Sequence, residues 1–174
     1  MKVRVVQVQP GEALWPKVAA LFPRVMRWMQ DPRDGGDYRF FAATDGRGAF
    51  LGASVMDVGP MHFGPLSDVT IGFLEDIHVL EPHRRKGVGT ALLRATLEHA
   101  WVTGCQNVRW TVEYGNQAGI ALYESMGCGF VPEEDPDAEQ PLKCYTVVAI
   151  NPKRVNAGYS SSKAIATRRR GRHL

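Results

Sequence analysis

The stretch from Val69 to Val102 restricts this chain more than any other. An apolar run, Val69 to Val79, is interrupted by the polar Glu75, Asp76 and His78 and closed by Glu81-Pro82. A basic turn with two glycines follows, His83-Arg84-Arg85-Lys86-Gly87-Val88-Gly89-Thr90. Val88, Leu92 and Ala95, with Leu93, Leu97 and Ala100, then recur at helical spacing, and Gly104 is a good stop. Val108 to Tyr114 alternates as a further strand. Strand, tight turn, helix and strand in that order make a βαβ unit, which requires a sheet with a helix lying on its face.

The turn itself carries chemistry. A strand-to-helix junction directs several backbone N–H groups and the positive end of the helix dipole into one small space. Glycines at 87 and 89 let an anionic group approach the main chain closely. A pyrophosphate is the ligand implied, and the plainer alternative is that both glycines serve only to pack the turn. The segment is not a Walker loop, because Lys86 precedes Gly87 and no GK[ST] follows. It is not GxGxxG either, since position 92 is Leu.

The rest of the chain supplies further strands and helices. Val3, Val5 and Val8 suggest a first strand ended by Pro10-Gly11. Glu12 to Met29 is helical in pattern, with Pro16 in the first turn and Pro23 dividing it into two short helices. Asp31 to Asp37 is a loop. Tyr38 to Thr44 and Ala49 to Val58 read as a hairpin around Asp45-Gly46-Arg47-Gly48. Asn116 caps a helix running to Met126 that Gly127 ends, and Leu142 to Ile150 is a last strand. The expected fold class is mixed α/β (α+β): a central mixed, mostly antiparallel sheet flanked by helices, with the βαβ unit in the second half.

Composition excludes several classes. The 174 residues are 44% hydrophobic and 22% charged, an ordinary globular balance. No apolar run approaches the ~18 residues of a membrane-spanning helix. The first residues lack the apolar block of a signal peptide. Cys105, Cys128 and Cys144 have no CxxC spacing, so neither a disulfide framework nor a zinc site is suggested, and no metal is expected. A reduced, cytoplasmic location is the simplest expectation. All eighteen acidic residues precede Asn151, while residues 151–174 carry seven of the twenty-one Lys and Arg. Residues 1–150 are therefore read as one domain of net charge −4, and 151–174 as a flexible tail of +7. That tail has three readings: a solubilising end, an arm for a polyanion such as nucleic acid, or a segment docking on an acidic neighbouring subunit. Only Tyr159 interleaves it, so the stacking of a single-strand binder is missing.

Arg84-x-x-Gly87-x-Gly89 resembles the pyrophosphate-binding pattern of the GNAT superfamily of acyl-CoA N-acyltransferases. Asn116-Gln117-Ala118-Gly119-Ile120-Ala121-Leu122-Tyr123-Glu124-Ser125-Met126-Gly127 looks like a second motif of that family, in the right order and spacing. The resemblance covers Val69 to Phe130. It implies acetyl-CoA as acyl donor and a primary amine as acceptor; Asp31, Asp34 and Asp37 on a loop, over a body of charge −4, would favour a cationic amine, and a polyamine, an aminosugar or a lysine-like side chain all fit. By the same resemblance Ile77 and Val79, with His78 between them, would line the pantetheine arm. Arg84, Arg85, Lys86, Gly87, Val88, Gly89 and Thr90 would surround the pyrophosphate. Asn116 would contact the pantetheine, cap its helix, or do both. Tyr123 would protonate the departing thiolate, and a core tyrosine is the alternative.

Glu75 is the first candidate for the general base, directly or through water, and Glu113 on the next strand is the second; the plainer reading of Glu75 is a structural salt bridge. Simple alternation places Asp76 on the opposite side of the sheet from Glu75. The acceptor pocket is expected around Trp28-Met29, the Asp31–Asp37 loop and the strand ends near Glu75 and Tyr114. Gly127-Cys128-Gly129-Phe130 departs from the family, with Cys128 replacing an aromatic residue and Phe130 available to substitute for it. All three cysteines are expected to be buried structural thiols. Many members of this family are dimers, so a homodimer is expected by analogy. The rival class is a non-catalytic acyl-CoA sensor, against which Glu75 and Tyr123 argue.

Overall fold

The computed structural model describes residues 2–61, 69–133 and 144–155. In chain order these form β1 (Arg4–Val8), α1 (Trp15–Leu21), α2 (Pro23–Gln30), β2 (Tyr38–Thr44), β3 (Phe50–Met61) and β4 (Val69–Val79). A 3₁₀ turn at Glu81–His83 leads into α3 (Val88–Val102), β5 (Asn107–Glu113), α4 (Gln117–Ser125), β6 (Gly129–Glu133), β7 (Cys144–Ile150) and α5 (Pro152–Val155). One seven-stranded sheet runs in the order β1-β2-β3-β4-β5-β7-β6. Its neighbours are antiparallel except β4 and β5, which are parallel and joined through α3. The mixed, mostly antiparallel sheet and the βαβ unit are as the sequence implies.

Proline chemistry sets the helices before the sheet. Pro16 and Pro23 each sit in a first turn, where a missing N–H costs nothing, and Phe22 between them leaves helical geometry. The apolar period from Glu12 to Met29 therefore becomes two helices. The segment that sequence reading missed is β6. It is short, contains Pro132, and takes the edge position beyond β7, the place in a sheet where a residue without an N–H is tolerated.

Both faces of the sheet are covered. Phe41, Met56, Leu74 and Val108 project to one side and meet Leu92, Leu93 and Leu97 of α3, with Tyr123 of α4 in the same cluster. Phe40, Ala42, Ala53 and Val55 project to the other side and meet Val18, Phe22 and Val25 of α1 and α2. The edge of Trp15 closes on Phe40 with ring centroids 5.0 Å apart. Consecutive residues of β2 thus enter opposite cores, so this strand is apolar throughout rather than alternating.

The chain beyond β7 is tied down at Asn151. This buried side chain donates to the Cys105 carbonyl at 3.0 Å and accepts from the Lys153 amide at 3.1 Å, while its own amide donates to Gln106. The expected tail therefore begins with an ordered turn, α5. The remainder, 156–174, lies outside the described residues.

One buried polar pair links β3 to α3. Ser54 and Thr96 hydroxyls lie 2.8 Å apart, both fully buried, and Thr96 also donates to the Leu92 carbonyl at 2.9 Å. Since Thr96 donates to Leu92, Ser54 is the donor of the pair. Thr96→Val strands the Ser54 hydroxyl, a loss of about 1–3 kcal/mol. Ser54→Ala leaves Thr96 its carbonyl partner and is expected to cost less. Urea unfolding of the two variants checks this order, and equal or reversed losses would refute it.

Candidate active site

β4 and β5 pair only at their beginnings, through Ile71 with Asn107, Gly72 with Val108 and Phe73 with Arg109. Beyond that point each strand stays bonded on its outer side. β4 continues along β3 as far as Val79 opposite Gly52, and β5 continues along β7 as far as Glu113 opposite Cys144. Between them the sheet opens. The parting begins at a β-bulge, where Met56 pairs with Leu74 and Val55 with Asp76, and Glu75 is left over. An extra residue on one strand bends it and increases its twist, which turns β4 away from β5.

Backbone N–H and C=O groups that lose a ladder partner inside a protein need another one. The opening is therefore an internal strand edge, suited to an extended ligand that carries amides of its own. Two cavities fill it. The larger, about 940 Å³, is lined by Leu74 to Ile77, Trp110 to Asn116, Tyr123 and Cys144, and by Arg24 from α2. The smaller, about 480 Å³, runs over Ile77 to Val79, the Arg84–Thr90 turn and the start of α4. Ile77, Asn116 and Tyr123 line both, so the two cavities meet along these side chains.

The smaller cavity collects most of the residues expected at a pyrophosphate. Arg84, Arg85, Gly87, Gly89 and Thr90 line it. Gly87 is the N-cap of α3 with φ +79°, a left-handed conformation that favours glycine, and no side chain caps the helix. The amides of Val88, Gly89 and Thr90 thus stand at the helix N-terminus without a side-chain acceptor. Arg85 also takes a positive φ, +58°, which is unusual for a residue with a side chain. Gly89 has a packing role as well, because a Cβ there would stand 3.3 Å from Leu122 Cδ2 of α4.

Two expected residues take other positions. Lys86 folds back to donate to the Pro82 carbonyl at 2.8 Å, and the Val88 side chain is buried in the core. Arg84 donates from Nε to the Val79 carbonyl at 3.2 Å, which ties the turn to the end of β4. Asn116 accepts from the Gly119 amide at 2.9 Å, so it caps α4 while lining both cavities.

The larger cavity holds the titratable groups. Glu75, Asp76 and Glu113 all line it, with Thr111 beside them on β5. The bulge breaks the two-residue period of β4: Leu74 pairs with Met56 and Asp76 with Val55, residues that enter opposite cores, and both Glu75 and Asp76 reach the cavity. The loop acids are also reassigned. Asp31 is held well down, to about 2, by the Arg33 side chain and amide; Asp37 pairs with Arg39; Asp34 accepts from the Tyr38 hydroxyl at 2.5 Å. None of the three lines the cavity. Nor do Trp28 and Met29: the contribution of α2 is Arg24, whose guanidinium lies 4.9 Å from the centre of the Trp28 ring. Sequence reading missed Arg24, Trp110 and Cys144 as lining residues.

Tyr123 is 5% exposed and packs against the edge of Trp110, with ring centroids 5.0 Å apart. Burial, followed by the negative charge of Asp76, pushes its hydroxyl up to about 12, so it keeps its proton at any ordinary pH. Burial likewise pushes the Cys128 thiol up to about 11 and raises Cys105. These are the inert thiols of packed sites rather than nucleophiles, although Cys128 is only half-buried and Cys144 reaches the cavity wall. Phe130 packs its ring against Tyr145 at 5.6 Å and joins the core margin beside Cys128. Among the described residues no cluster of His, Cys, Asp or Glu is arranged to hold a metal.

Known proteins share this architecture. The solved structure of Arabidopsis thaliana NAA60 in complex with acetyl-CoA superposes with a TM-score of 0.64 over 86% of this chain and 98% of that one, at 16% identity, a likeness of fold. An L-ornithine N5-acetyltransferase of Arabidopsis thaliana is 44% identical over 55 residues, which are 32% of this chain and 24% of that enzyme. A mouse thialysine N-epsilon-acetyltransferase is 32% identical over 63 residues, 36% of this chain and 37% of that enzyme. The chain thus matches well under half the length of these two curated relatives. Residues 11–130, which contain the divided helix, the parting strands and the glycine turn, match the acetyltransferase (GNAT) family, and the chain belongs to it.

Proposed function

We propose that this protein is an acetyl-CoA-dependent N-acetyltransferase that moves the acetyl group directly to a primary amine within a ternary complex. The observation that carries this reading is the position of Tyr123, at the junction of two cavities that meet where β4 and β5 part. The small cavity suits the donor. Its helix N-terminus, Arg84 and Arg85 match a pyrophosphate, and the unpaired edge beyond Leu74 matches the amides of pantetheine. Main-chain groups of Ile77 and Val79, flanking His78, then border the thioester. An N–H directed at the thioester carbonyl stabilises the oxyanion as the amine attacks.

The large cavity suits the acceptor. Glu75, Asp76 and Glu113 favour a cationic amine before reaction, as do the names of the ornithine and thialysine relatives. An alkylammonium must lose a proton before it can attack, and in this reading Glu75 or Glu113 takes it, directly or through water. The nitrogen then bonds to the carbonyl carbon, and collapse of the tetrahedral intermediate breaks the carbon–sulfur bond. Tyr123 supplies the proton to the departing thiolate. The burial that raises the phenol raises a thiolate in the same space too, so the two remain within reach of proton exchange.

Acceptor-dependent thiol release from acetyl-CoA, measured across polyamines, aminosugars, amino acids and lysine peptides, tests the activity; silence from the folded protein would count against it. Tyr123→Phe is expected to lower kcat about 100-fold while the KM for acetyl-CoA changes little. Unchanged kcat would remove Tyr123 from the chemistry.

The pH dependence follows from the protonated states required. Activity should rise with pH as the amine loses its proton. Tyr123 adds no falling limb below about pH 10, because its acid form is lost only as pH climbs through its raised value of about 12. A falling limb near pH 8–9 that disappears in Tyr123→Phe would contradict this assignment.

A further inference from the structure

Three carboxylates and one guanidinium line the acceptor cavity: Glu75, Asp76, Glu113 and Arg24. A cavity selecting only for positive charge has no use for the guanidinium, which repels a polyamine. Arg24 is exposed, but its head group rests on a ring of its own helix. It sits in the first turn of α2, on the sheet face covered by the α1–α2 helices, with its guanidinium over the Trp28 ring 4.9 Å from the centroid. A ring face binds the cation while leaving the N–H fork at its edge free, and among the described residues Arg24 forms no ion pair of its own. The planar fork of an arginine is the group best matched to a carboxylate.

We propose that Arg24 is a specificity-determining residue that binds the carboxylate of a zwitterionic acceptor, an amino acid bearing a second amine at the end of its side chain. This rests on the acetyl-transfer reading above and narrows its substrate class. The distal amine enters among the carboxylates toward Tyr123, and the carboxylate is held at the α2 side of the same cavity. Arg24 takes no part in bond making, so it acts on acceptor binding and orientation.

The test compares amino acids with the diamines that differ from them only by loss of the carboxyl group: ornithine with 1,4-diaminobutane, and lysine with 1,5-diaminopentane. The wild-type protein is expected to prefer the amino acid in kcat/KM. Arg24→Gln should raise the amino-acid KM about tenfold or more, and should increase kcat/KM for the diamine as a like charge is removed. Arg24→Lys should restore part of the amino-acid preference. A loss of structure would lower both substrates together, so parallel losses, or a wild-type preference for the diamine, overturn the proposal. Titration of ornithine into the protein saturated with CoA separates this from the wider reading. If no acceptor is acetylated but ornithine binds in an Arg24-dependent way, the acetyl-transfer reading fails and the Arg24 site stands. If ornithine is acetylated with no dependence on Arg24, the converse holds, and absence of both overturns both.

Discussion

Everything at the site depends on one broken ladder. β4 and β5 are held together at Ile71 to Phe73 and then separate, each still bonded to its outer neighbour. The bulge produces the separation, since Glu75 takes no place in the β3 register and the strand bends at that residue. The opening passes through the whole sheet. Leu74, Trp110, Val112 and Tyr123, which belong to the core beneath α3 and α4, line the same cavity as Arg24 from the opposite face. On the proposed reading, donor and acceptor would approach one another from two sides, with the reacting atoms in the gap.

The bulge also has an electrostatic effect. By bending β4 it opens the cavity that Glu75 and Asp76 both line, and the charge of Asp76 is felt at Tyr123. Burial and a nearby carboxylate act in the same direction on a phenol, and together they hold Tyr123 in its acid form. A group that must donate a proton to a departing thiolate benefits from never being ionised beforehand. On the proposed reading the same carboxylates favour a cationic amine in the larger cavity, so one cluster of acids bears on both the acceptor and the acid.

What could be read from the sequence, and what could not, divides along a physical line. The donor end is built mainly from backbone: a strand, a glycine in left-handed geometry, the exposed amides of a helix N-terminus and an asparagine cap. Such features leave marks at fixed short spacings, which is why Arg84, Gly87, Gly89 and Asn116 were found where the structure brings them together. Local patterns likewise located α3, the Pro23 break and most strands. β6 escaped because five residues beginning with glycine and containing Pro132 give no usable period. Lys86 and Val88 were grouped with the turn by proximity in sequence, whereas a carbonyl at Pro82 and the core each took one side chain.

The acceptor end is built from side chains on elements far apart in the chain, and no spacing rule joins Arg24 to Glu75 or Glu113. The acidic loop was attractive from composition, but each of its aspartates has a partner two to four residues away: Arg33, Arg39 or Tyr38. Local pairing of this kind is cheap, because the partners are already neighbours and little chain entropy is lost in bringing them together. The donor half of such a site can therefore be fixed by a short motif. The acceptor half is decided by which side chains the β4 bulge and the α2 helix turn toward the opening, and a single substitution on either element can change what it accepts.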